Sequence, residues 1–440
     1  MYDLIIRDAT IVHAGGRRVA DIAVEDGRIC EVGGKLTTGA REVLAGIGRF
    51  VVPGFIDSQV RCQSAADPRR DDVRAASRAA VSAGVTSLID LPDGVEPLIN
   101  RAGLQGRREA AERQSLAWYG SWIGAGRDGV SEALDAVRAG LAIAAFARMD
   151  LQSGPLSLDE EALSRLLEGS PAPVGVHAED GPTIEKGEGK WAQVEDALHS
   201  DVRPLKAATE ALGRLIRILA ASGGRAHLTS LSTAAELNLL DPTRGALLLS
   251  SAVSPSHLVF SLETAGKQVE QLKFDPPMRG EVDRRALWAA VKRGRIEVFA
   301  SGHRPSLRGA SSLPYWRRPS GIPGIDTLFP LLVGAVKHGR LGLERLVEMS
   351  SEAPARLFSL ARKGKIEVGY DADLVIFSER DTVKLRSAPP YSGADWSPFL
   401  GRETGGAPEV VVVGGRVVAR DGVIDESAKP PGLLTARPTP

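Results

Sequence analysis

Chemically capable residues first appear in one short stretch of the chain, FIDSQVRCQ, at positions 55–63. Asp57, Gln59 and Arg61 are two residues apart, so in a strand their side chains lie on one face. A strand buried in a parallel sheet is normally apolar along its whole length. A carboxylate, an amide and a guanidinium on one face therefore indicate a polar site.

Further polar residues follow other short apolar runs. They are Asp93 in LPDG, His177 and Glu179 in VGVHAED, His227 in HLTSLS, His257 in SPSHL, Asp275 in FDPPMR and His303 in SGHRP. Histidines at the ends of several strands commonly supply metal ligands or acid–base groups. The alternative is a set of structural histidines with satisfied hydrogen bonds. Because these residues all recur at the ends of strands, the set as a whole favours a common functional site.

The elements that must position these residues alternate in type between about residue 53 and residue 360. Apolar strands such as VTSLIDLPD and RIEVFASG are separated by helical stretches such as PLKAATEALGRLIRILAAS. This alternation predicts an α/β fold, most simply a (β/α)8 TIM-type barrel at 53–361. In such barrels chemistry takes place where strands end and loops begin.

Both ends of the chain read differently from the middle. Short alternating strands separated by GG and DG turns occupy 1–52 and 362–428. This pattern predicts a small β-sandwich domain formed by both termini. The Pro-rich tail, 429–440, is expected to be disordered.

Composition excludes several classes of function. The 440 residues include 55 Lys and Arg against 55 Asp and Glu, so a dominant nucleic-acid or anionic-membrane surface is not expected. Cys30 and Cys62 give neither a disulfide framework nor a cysteine-type zinc spacing. No signal-peptide or membrane-spanning segment is apparent, which predicts a globular, cytoplasmic protein.

A set of motifs occurs in a specific order along the chain. The motifs are VVPGFID, GVTSLIDLP, VGVHAED, HLTSLSTAAEL, DPPMR, SGIPGIDTLFPLL, APARLF and KIEVGYDADLVIF. With them the chain resembles the dihydroorotases, in the cyclic amidohydrolase group of the amidohydrolase superfamily. The resemblance covers nearly the whole chain. It implies a (β/α)8 barrel with a β-sandwich, hydrolysis of a cyclic amide, and two zinc ions at the barrel mouth.

The metal ligands that the resemblance implies are mostly replaced here. The HxH pair, the carbamylated lysine and the aspartate that handles the proton of the attacking water fall on Gln59 and Arg61, Ala147, and Gly302. Only the two later histidines, His177 and His227, are kept. The catalytic set is therefore not intact.

The substrate contacts implied by the resemblance have changed as well. Positions of interest in the pocket are Gln63 for the arginine after HxH, Asp93 and Asp275 for two asparagines, the retained Arg279, and His303. Two new carboxylates would repel an anionic substrate.

Arg61 decides the expectation for metal and cofactors. Its charge, about 4 Å from a divalent ion at an effective dielectric near 20, would repel that ion by roughly 8 kcal/mol. We therefore expect no metal and no other cofactor. The remaining candidate ligands are His177 and His227, for zinc, if the protein is active after all. We expect Arg61 to pair with Asp93 or Asp275, with Glu179 and Asp57 in reserve.

The resemblance also suggests a partner. Some bacterial aspartate carbamoyltransferases assemble with a non-catalytic dihydroorotase homologue. We therefore expect a catalytically inactive, oligomeric structural subunit of an aspartate carbamoyltransferase complex in pyrimidine biosynthesis. Two alternatives remain: a metal-poor or metal-free amidohydrolase acting on a cyclic amide, and a ligand-sensing pseudoenzyme.

Overall fold

The strands of the protein fall into a central parallel series and two terminal groups. A computed structural model describes residues 1–62, 72–192, 194, 196–305, 313–378, 381–385, 390–394 and 396–436. The strands are β1 (Tyr2–His13), β2 (Gly16–Glu25), β3 (Arg28–Gly33), β4 (Ala40–Ala45), β5 (Phe50–Pro53), β6 (Phe55–Val60), β7 (Val85–Asp90), β8 (Trp118–Gly124), β9 (Ala144–Arg148), β10 (Val174–His177), β11 (Arg225–Leu228), β12 (Leu248–Val253), β13 (Val298–Phe299), β14 (Leu374–Phe377), β15 (Val383–Lys384), β16 (Glu403–Thr404), β17 (Pro408–Val413), β18 (Arg416–Arg420) and β19 (Val423–Ile424).

Helices follow most strands of the central series. They are α1 (Val73–Ser82), α2 (Arg101–Gln114), α3 (Val130–Arg138), α4 (Glu160–Gly169), α5 (Gly181–Trp191), α6 (His199–Val202), α7 (Leu205–Ser222), α8 (Ala234–Leu240), α9 (Pro255–Val259), α10 (Leu262–Ala265), α11 (Glu281–Lys292), α12 (Leu328–Lys337), α13 (Leu343–Val347) and α14 (Ala353–Leu357). Side chains of Asp72, Asn100 and Asp159 accept backbone N–H groups and so fix where α1, α2 and α4 begin. In the described part of the chain, no helix is both long and apolar enough to cross a membrane.

The central strands form a barrel. The sheet runs from β6 to β13 in chain order, and its strand pairs are parallel. Val60 also pairs in parallel with His303, and the Arg61 N–H donates to the His303 carbonyl at 3.0 Å. These contacts bring the end of the series back to β6. The predicted TIM-type barrel is confirmed.

Two apolar layers hold the barrel together. Inside it, Trp122 packs edge-on against Phe146 and Phe358, with ring centroids 6.2 and 5.1 Å apart. A larger cluster, which includes Tyr119 and Val176, lies between the strands and the surrounding helices. The lower interior is therefore filled with apolar side chains, and polar ones are left to the carboxyl ends of the strands.

A second sheet combines strands from both ends of the chain. Its order is β19-β18-β17-β14-β5-β1-β2-β3, with β4 paired to β1. The junction between the two chain ends is the antiparallel pair of β5 and β14, in which Val52 lies opposite Val375. The β domain predicted to form from both termini is therefore confirmed.

The C-terminal tail differs from its expected disorder over its described part, up to Ala436. The Leu434 N–H donates to the Tyr119 carbonyl at 2.7 Å, and the Ala361 N–H donates to the Thr435 carbonyl at 2.9 Å. The Leu434 side chain is 4% exposed and packs into the apolar interior of the barrel. The physical reason is that backbone hydrogen bonds and one buried leucine hold a segment whose prolines alone suggested disorder. Residues 437–440 lie outside the described part.

Candidate functional site

Charged side chains from several strand ends meet at the carboxyl end of the barrel. We call them the mouth network. Its members are Arg61, Asp93, Arg148, Asp150, His177, Glu179, Arg203, Asp275 and Arg279. Two of its four arginines, Arg148 and Arg203, each contact more than one carboxylate, so the groups form a continuous chain of ion pairs.

The first pair joins the end of β6 to the loop after β7. Arg61 Nε lies 2.7 Å from Asp93 Oδ1, and Arg61 Nη2 lies 2.9 Å from Asp93 Oδ2. The side chains are 12% and 2% exposed, respectively. Burial alone would raise the pKa of Asp93, but the guanidinium groups of Arg61 and Arg148 outweigh it and hold that pKa well below its usual range. The expected pairing of Arg61 with a carboxylate is confirmed, and Asp93 is that carboxylate.

Arg148, at the end of β9, extends the chain of ion pairs. Its Nη1 lies 2.7 Å from Asp93 Oδ2, and its Nε and Nη2 lie 2.9 and 2.6 Å from the two oxygens of Asp150. Burial lowers the pKa of Arg148, but Asp150 and Asp93 raise it more, so the guanidinium stays charged. One arginine thus links two buried carboxylates.

Arg203, between α6 and α7, joins three carboxylates. Its nitrogens lie 3.0 Å from Asp150 Oδ2, 2.5 Å from Glu179 Oε2 and 3.3 Å from Asp275 Oδ1. Asp275 also contacts His199 Nε2 at 2.6 Å. Asp275, expected as a partner for Arg61, is therefore engaged by Arg203 and His199.

Arg279 closes the network on its far side. Its Nη1 donates to the Arg203 carbonyl at 2.5 Å, and its Nη2 lies 3.6 Å from Glu179 Oε1. Burial raises the pKa of Glu179, but Arg203 and His177 lower it by more than burial raises it, so the pKa is lowered overall. The retained arginine therefore supports a buried carboxylate.

The two retained histidines make ordinary hydrogen bonds. His177 Nε2 lies 3.0 Å from Glu179 Oε2. His227 Nδ1 lies 2.9 Å from Ser250 Oγ, and its ring packs edge-on against Phe358. Burial lowers the pKa of His227 to about 3, which keeps this imidazole neutral. Its Nε2 has no hydrogen-bond partner among the described residues.

The other positions flagged by the sequence lie below or beside the network. Gln59 Nε2 donates to the Thr229 carbonyl, and Asp57 Oδ1 accepts the Ser301 N–H at 3.1 Å. Burial raises the pKa of Asp57. His303 Nδ1 accepts the N–H groups of residues 324 and 325 at 3.2 and 3.3 Å. His303 is therefore held by backbone at this nitrogen.

The remaining positions flagged by the sequence are Ala147, Gly302 and Gln63. Ala147 packs in the apolar layer between strands and helices, while its neighbours Phe146 and Arg148 face the barrel interior. The position assigned to the lysine thus points away from the mouth, because side chains alternate along β9. Gly302 has a φ of +64°, and Gln63 lies outside the described residues.

The residues present do not fit a zinc centre. A catalytic zinc needs at least three protein ligands, and the described residues contain no group of three or more His, Cys, Asp or Glu side chains that could hold a metal ion. Of the two retained histidines, His177 contacts Glu179 through Nε2, and His227 has an Nε2 without a hydrogen-bond partner among the described residues. Arg61 and Arg148 add positive charge where a cation would bind.

The space left at the mouth is small. A cavity of about 30 Å³ lies between Arg61, His177, His257, Asp275 and Gly302. One water needs about 10–15 Å³, whereas ligand pockets commonly measure about 300–1,000 Å³. Side chains of the network therefore fill the volume in which a cyclic substrate would have to bind.

Sequence reasoning missed several members of the site. Arg148, Asp150, His199 and Arg203 were not flagged, although together they make most of its ion pairs. Arg148 and Asp150 follow the apolar run AAF, which is the signal used for the other strand ends. His199 and Arg203 come from a helix and a loop, where a search restricted to strand ends could not find them.

Comparison with known proteins finds similarity over most of the chain. A model of the amidohydrolase family matches residues 50–418. A dihydroorotase from Methanothermobacter thermautotrophicus is 30% identical over 411 residues, 92% of this chain and 92% of the relative. An allantoinase from Rubrobacter xylanophilus is 30% identical over 440 residues, 96% of this chain and 95% of the relative.

Solved structures share the fold. An L-hydantoinase (dihydropyrimidinase) from Arthrobacter aurescens superposes with a TM-score of 0.93 at 24% identity and covers 99% of this chain and 100% of its own. A D-hydantoinase from Bacillus sp. AR9 gives a TM-score of 0.90 at 26% identity, with 99% and 100% covered. The barrel with its β domain is thus a fold in which cyclic amide hydrolases occur.

Proposed function

Since this chain belongs to the amidohydrolase family, we propose that it is a dihydroorotase-like member without catalytic activity that acts as a structural subunit. The proposed partner is an aspartate carbamoyltransferase-type catalytic chain of pyrimidine biosynthesis. The proposal has two parts, loss of hydrolysis and assembly with a partner, and each has its own test.

One observation carries the loss of hydrolysis. Arg61 stands where the resemblance expects a metal ligand, and it is bound bidentately to Asp93, which Arg148 also holds. A divalent ion could bind here only by displacing these guanidinium groups. The buried carboxylates would then need new partners. Breaking a buried pair costs about 3–5 kcal/mol, which adds to the repulsion of the ion itself.

Among the described residues, the unengaged base nearest to the site is His227 Nε2, whose pKa of about 3 makes it a weak proton acceptor. General base catalysis needs an acceptor within hydrogen-bond reach of the attacking water. Asp93 and Asp150 already accept hydrogen bonds from guanidinium groups, and Glu179 accepts one from Arg203. Asp57 is buried and its raised pKa favours the neutral acid. These carboxylates stabilise the mouth and cannot readily accept a proton from water.

Assembly is supported by what the chain has kept. It matches a dihydroorotase over 92% of both lengths, although its ligand positions have changed. Retention of the whole fold without its metal site is what we expect of a protein that acts by binding a partner through its surface. The resemblance to non-catalytic homologues of aspartate carbamoyltransferase complexes supplies the identity of the partner.

Hydrolysis is tested with the purified full chain. Dihydroorotate, allantoin and hydantoin are offered with added zinc and, separately, after chelation. We expect no turnover of any substrate and no formation of dihydroorotate from carbamoyl aspartate. Turnover abolished by chelation would refute the proposal, and turnover that survives chelation would establish metal-free chemistry instead.

Assembly is tested with the aspartate carbamoyltransferase of the same host. The two chains are mixed at micromolar concentration and analysed by size-exclusion chromatography with light scattering. We expect one complex and a changed stability or activity of the transferase. Separate elution of both chains at all concentrations would remove the partner from the proposal.

A further inference from the structure

Two cavities open at the end of the barrel opposite the mouth, where the β domain joins the barrel. The first measures about 930 Å³ and is lined by the turns after β2 and β17, by Trp118 at the start of β8 and by residues 429–431 of the tail. The second measures about 680 Å³ and is lined by the chain after α14 and by Tyr370. Arg362 lines both, so the cavities lie side by side. Together they form a concave surface that we call the basal groove.

The basal groove carries a surplus of positive charge, although the formal net charge of the whole chain is zero. The first cavity is lined by five arginine and lysine side chains and four carboxylates, and the second by four and one, with Arg362 counted in both. Four of the five carboxylates are already engaged, three in ion pairs and one as a hydrogen-bond acceptor: Asp3, Glu42, Asp371 and Glu352.

Half of the cations in the groove are not engaged in this way. Four of the eight make no ion pair in the described part of the chain, and all four are exposed: Arg28, Arg356, Arg416 and Lys429. The groove therefore presents several positive charges that are available to a partner.

Two aromatic side chains lie in the groove among these charges. Trp118 is half-buried, its Nε1 donates to Asp373 Oδ1 at 2.9 Å, and Lys363 Nζ lies 3.4 Å from the centre of its ring. Tyr370 is half-buried as well, with Lys365 Nζ 6.0 Å from its ring centre. A ring that is already held in place loses little conformational entropy when a partner covers it. Trp, Tyr and Arg are also the residues in which the hot spots of protein interfaces are enriched.

A protein is the class of partner that this arrangement favours. A small-molecule pocket encloses its ligand in mostly apolar walls, whereas exposed charged side chains surround the aromatic rings here. A flat membrane surface does not reach the floor of a concave groove. Asp26 has no ion pair in the described part of the chain, and such a carboxylate repels a continuous polyanion such as nucleic acid. Aromatic rings within a charged rim are the pattern of a protein interface.

We propose that the basal groove binds an acidic segment of a partner protein. Carboxylates of this segment pair with the four unpaired cations, and its apolar side chains cover Trp118 and Tyr370. The inference deepens the function proposed above and rests on it in taking the segment from the aspartate carbamoyltransferase-type chain. Because the groove lies at the opposite end of the barrel from the mouth network, binding there requires neither a metal nor an open mouth.

The first test uses the full chain and the aspartate carbamoyltransferase of the same host. The dissociation constant of the complex is measured by calorimetry at about 50 mM and about 200 mM NaCl, and it should rise with salt. Arg28→Glu combined with Arg416→Glu should weaken the complex about tenfold or more at the lower salt, because like charges then face each other. Arg217→Glu is the matched control, at an exposed arginine of α7 without an ion pair in the described part of the chain. It should bind as wild type does.

The double variant should fold normally, because both of its arginines are exposed and unpaired. A thermal scan verifies that its unfolding midpoint equals that of wild type. A loss of binding in this variant then reports on the groove and not on the stability of the chain.

A second test replaces the partner by a probe of the same charge. Fluorescently labelled hexaglutamate is titrated with the full chain, and labelled hexalysine and a thymidine oligonucleotide serve as controls. We expect saturable binding of hexaglutamate, no binding of hexalysine and weaker binding of the oligonucleotide. The affinity for hexaglutamate should fall about tenfold or more in the double variant and stay unchanged in Arg217→Glu.

Each outcome decides about the groove. Equal affinity of wild type and the double variant for hexaglutamate would overturn the inference, and so would tighter binding of the oligonucleotide than of the peptide. A transferase complex that the double variant forms as tightly as wild type would also overturn it, while the proposed function would stand. If wild type forms no complex, the assembly proposed above is refuted, and the hexaglutamate titration decides about the groove on its own.

Discussion

At the scale of single residues, the ion pairs of the mouth are not equivalent. Asp93 contacts two arginines. Both oxygens of Asp150 contact Arg148, and one of them also contacts Arg203. Removing Arg61 leaves Asp93 with a cation. Removing Arg148 strips contacts from two buried carboxylates at once. The cost of each loss should follow this difference.

Arg148→Ala should therefore destabilise the protein more than Arg61→Ala does. We expect about 3–5 kcal/mol for Arg148→Ala, the cost of breaking a buried pair, and about 1–3 kcal/mol for Arg61→Ala. Denaturant unfolding at pH 7 measures both, with Arg293→Ala as the exposed control, which should change stability by less than about 0.5 kcal/mol. Equal losses in the two mouth variants would show that the contacts of Arg148 with Asp150 add nothing to stability.

A second prediction at this scale concerns pH and His257. Its Nε2 lies 3.1 Å from the Pro276 carbonyl, which can only accept, and its Nδ1 lies 2.9 Å from Ser254 Oγ. Burial lowers the pKa of His257 to about 4, below the unfolded value of about 6.5. The unfolded chain thus binds a proton that the folded chain refuses. The stability contributed by neutral His257 is full above pH 6.5 and is lost as pH falls toward 4.

The measurement compares wild type with His257→Gln between pH 7 and pH 4.5. The difference in unfolding free energy should shift against wild type by about 1.4 kcal/mol per pH unit below 6.5. A difference is needed because Asp57, Asp90 and Glu236 have pKa values raised by burial and act in the opposite direction. A pH-independent difference for His257→Gln would mean that the imidazole is charged when folded.

At the scale of elements, the contacts of the C-terminal tail lead to a clear prediction about the free energy of unfolding. It pairs with Tyr119 at the start of β8 and with the chain after α14 through Thr435. Leu434 fills space inside the lower barrel. The tail therefore closes the end of the barrel opposite the mouth.

Leu434→Ala should cost about 2–4 kcal/mol of unfolding free energy, as large-to-small changes in a packed core do. Leu248→Ala, at a leucine that is 65% exposed, is the matched control and should cost less than about 1 kcal/mol. Chemical denaturation with two probes, fluorescence and far-UV circular dichroism, measures both. If the two variants lose the same stability, the tail does not seal the barrel.

The sequence predicted the elements better than it predicted their polar contacts. Strand–helix alternation and terminal strand patterns are local properties, and they led to the barrel and the β domain. The tail was misjudged because its prolines obscured one buried leucine, Leu434. The network could be predicted only in part, because Arg148 and Arg203 meet Asp150 through tertiary structure alone. Arg61 and Asp93 were predictable because both lie at strand ends.

At the scale of the whole molecule, the proposal of a mouth held together by ion pairs without metal has a consequence for stability. The fold should then be independent of metal. Chelation should leave the unfolding midpoint unchanged, and zinc at concentrations near 100 micromolar should not raise it. A ligand at about 100 times its dissociation constant stabilises by about 2.7 kcal/mol, so specific binding would be visible in calorimetry. A midpoint that falls on chelation and recovers with zinc would restore a metal site.

The β domain has a consequence for how the protein is made. Pro53 in β5 pairs with Leu374 in β14, 321 residues later in the chain. At about 5–20 residues per second, a ribosome needs on the order of half a minute to supply that partner. Throughout this interval the strands β1 to β5 have emerged with the edge of β5 unpaired, and an unpaired strand edge can promote aggregation. We therefore expect nascent chains of this protein to be most prone to aggregation before β14 is made, with the N-terminal strands as the exposed surface.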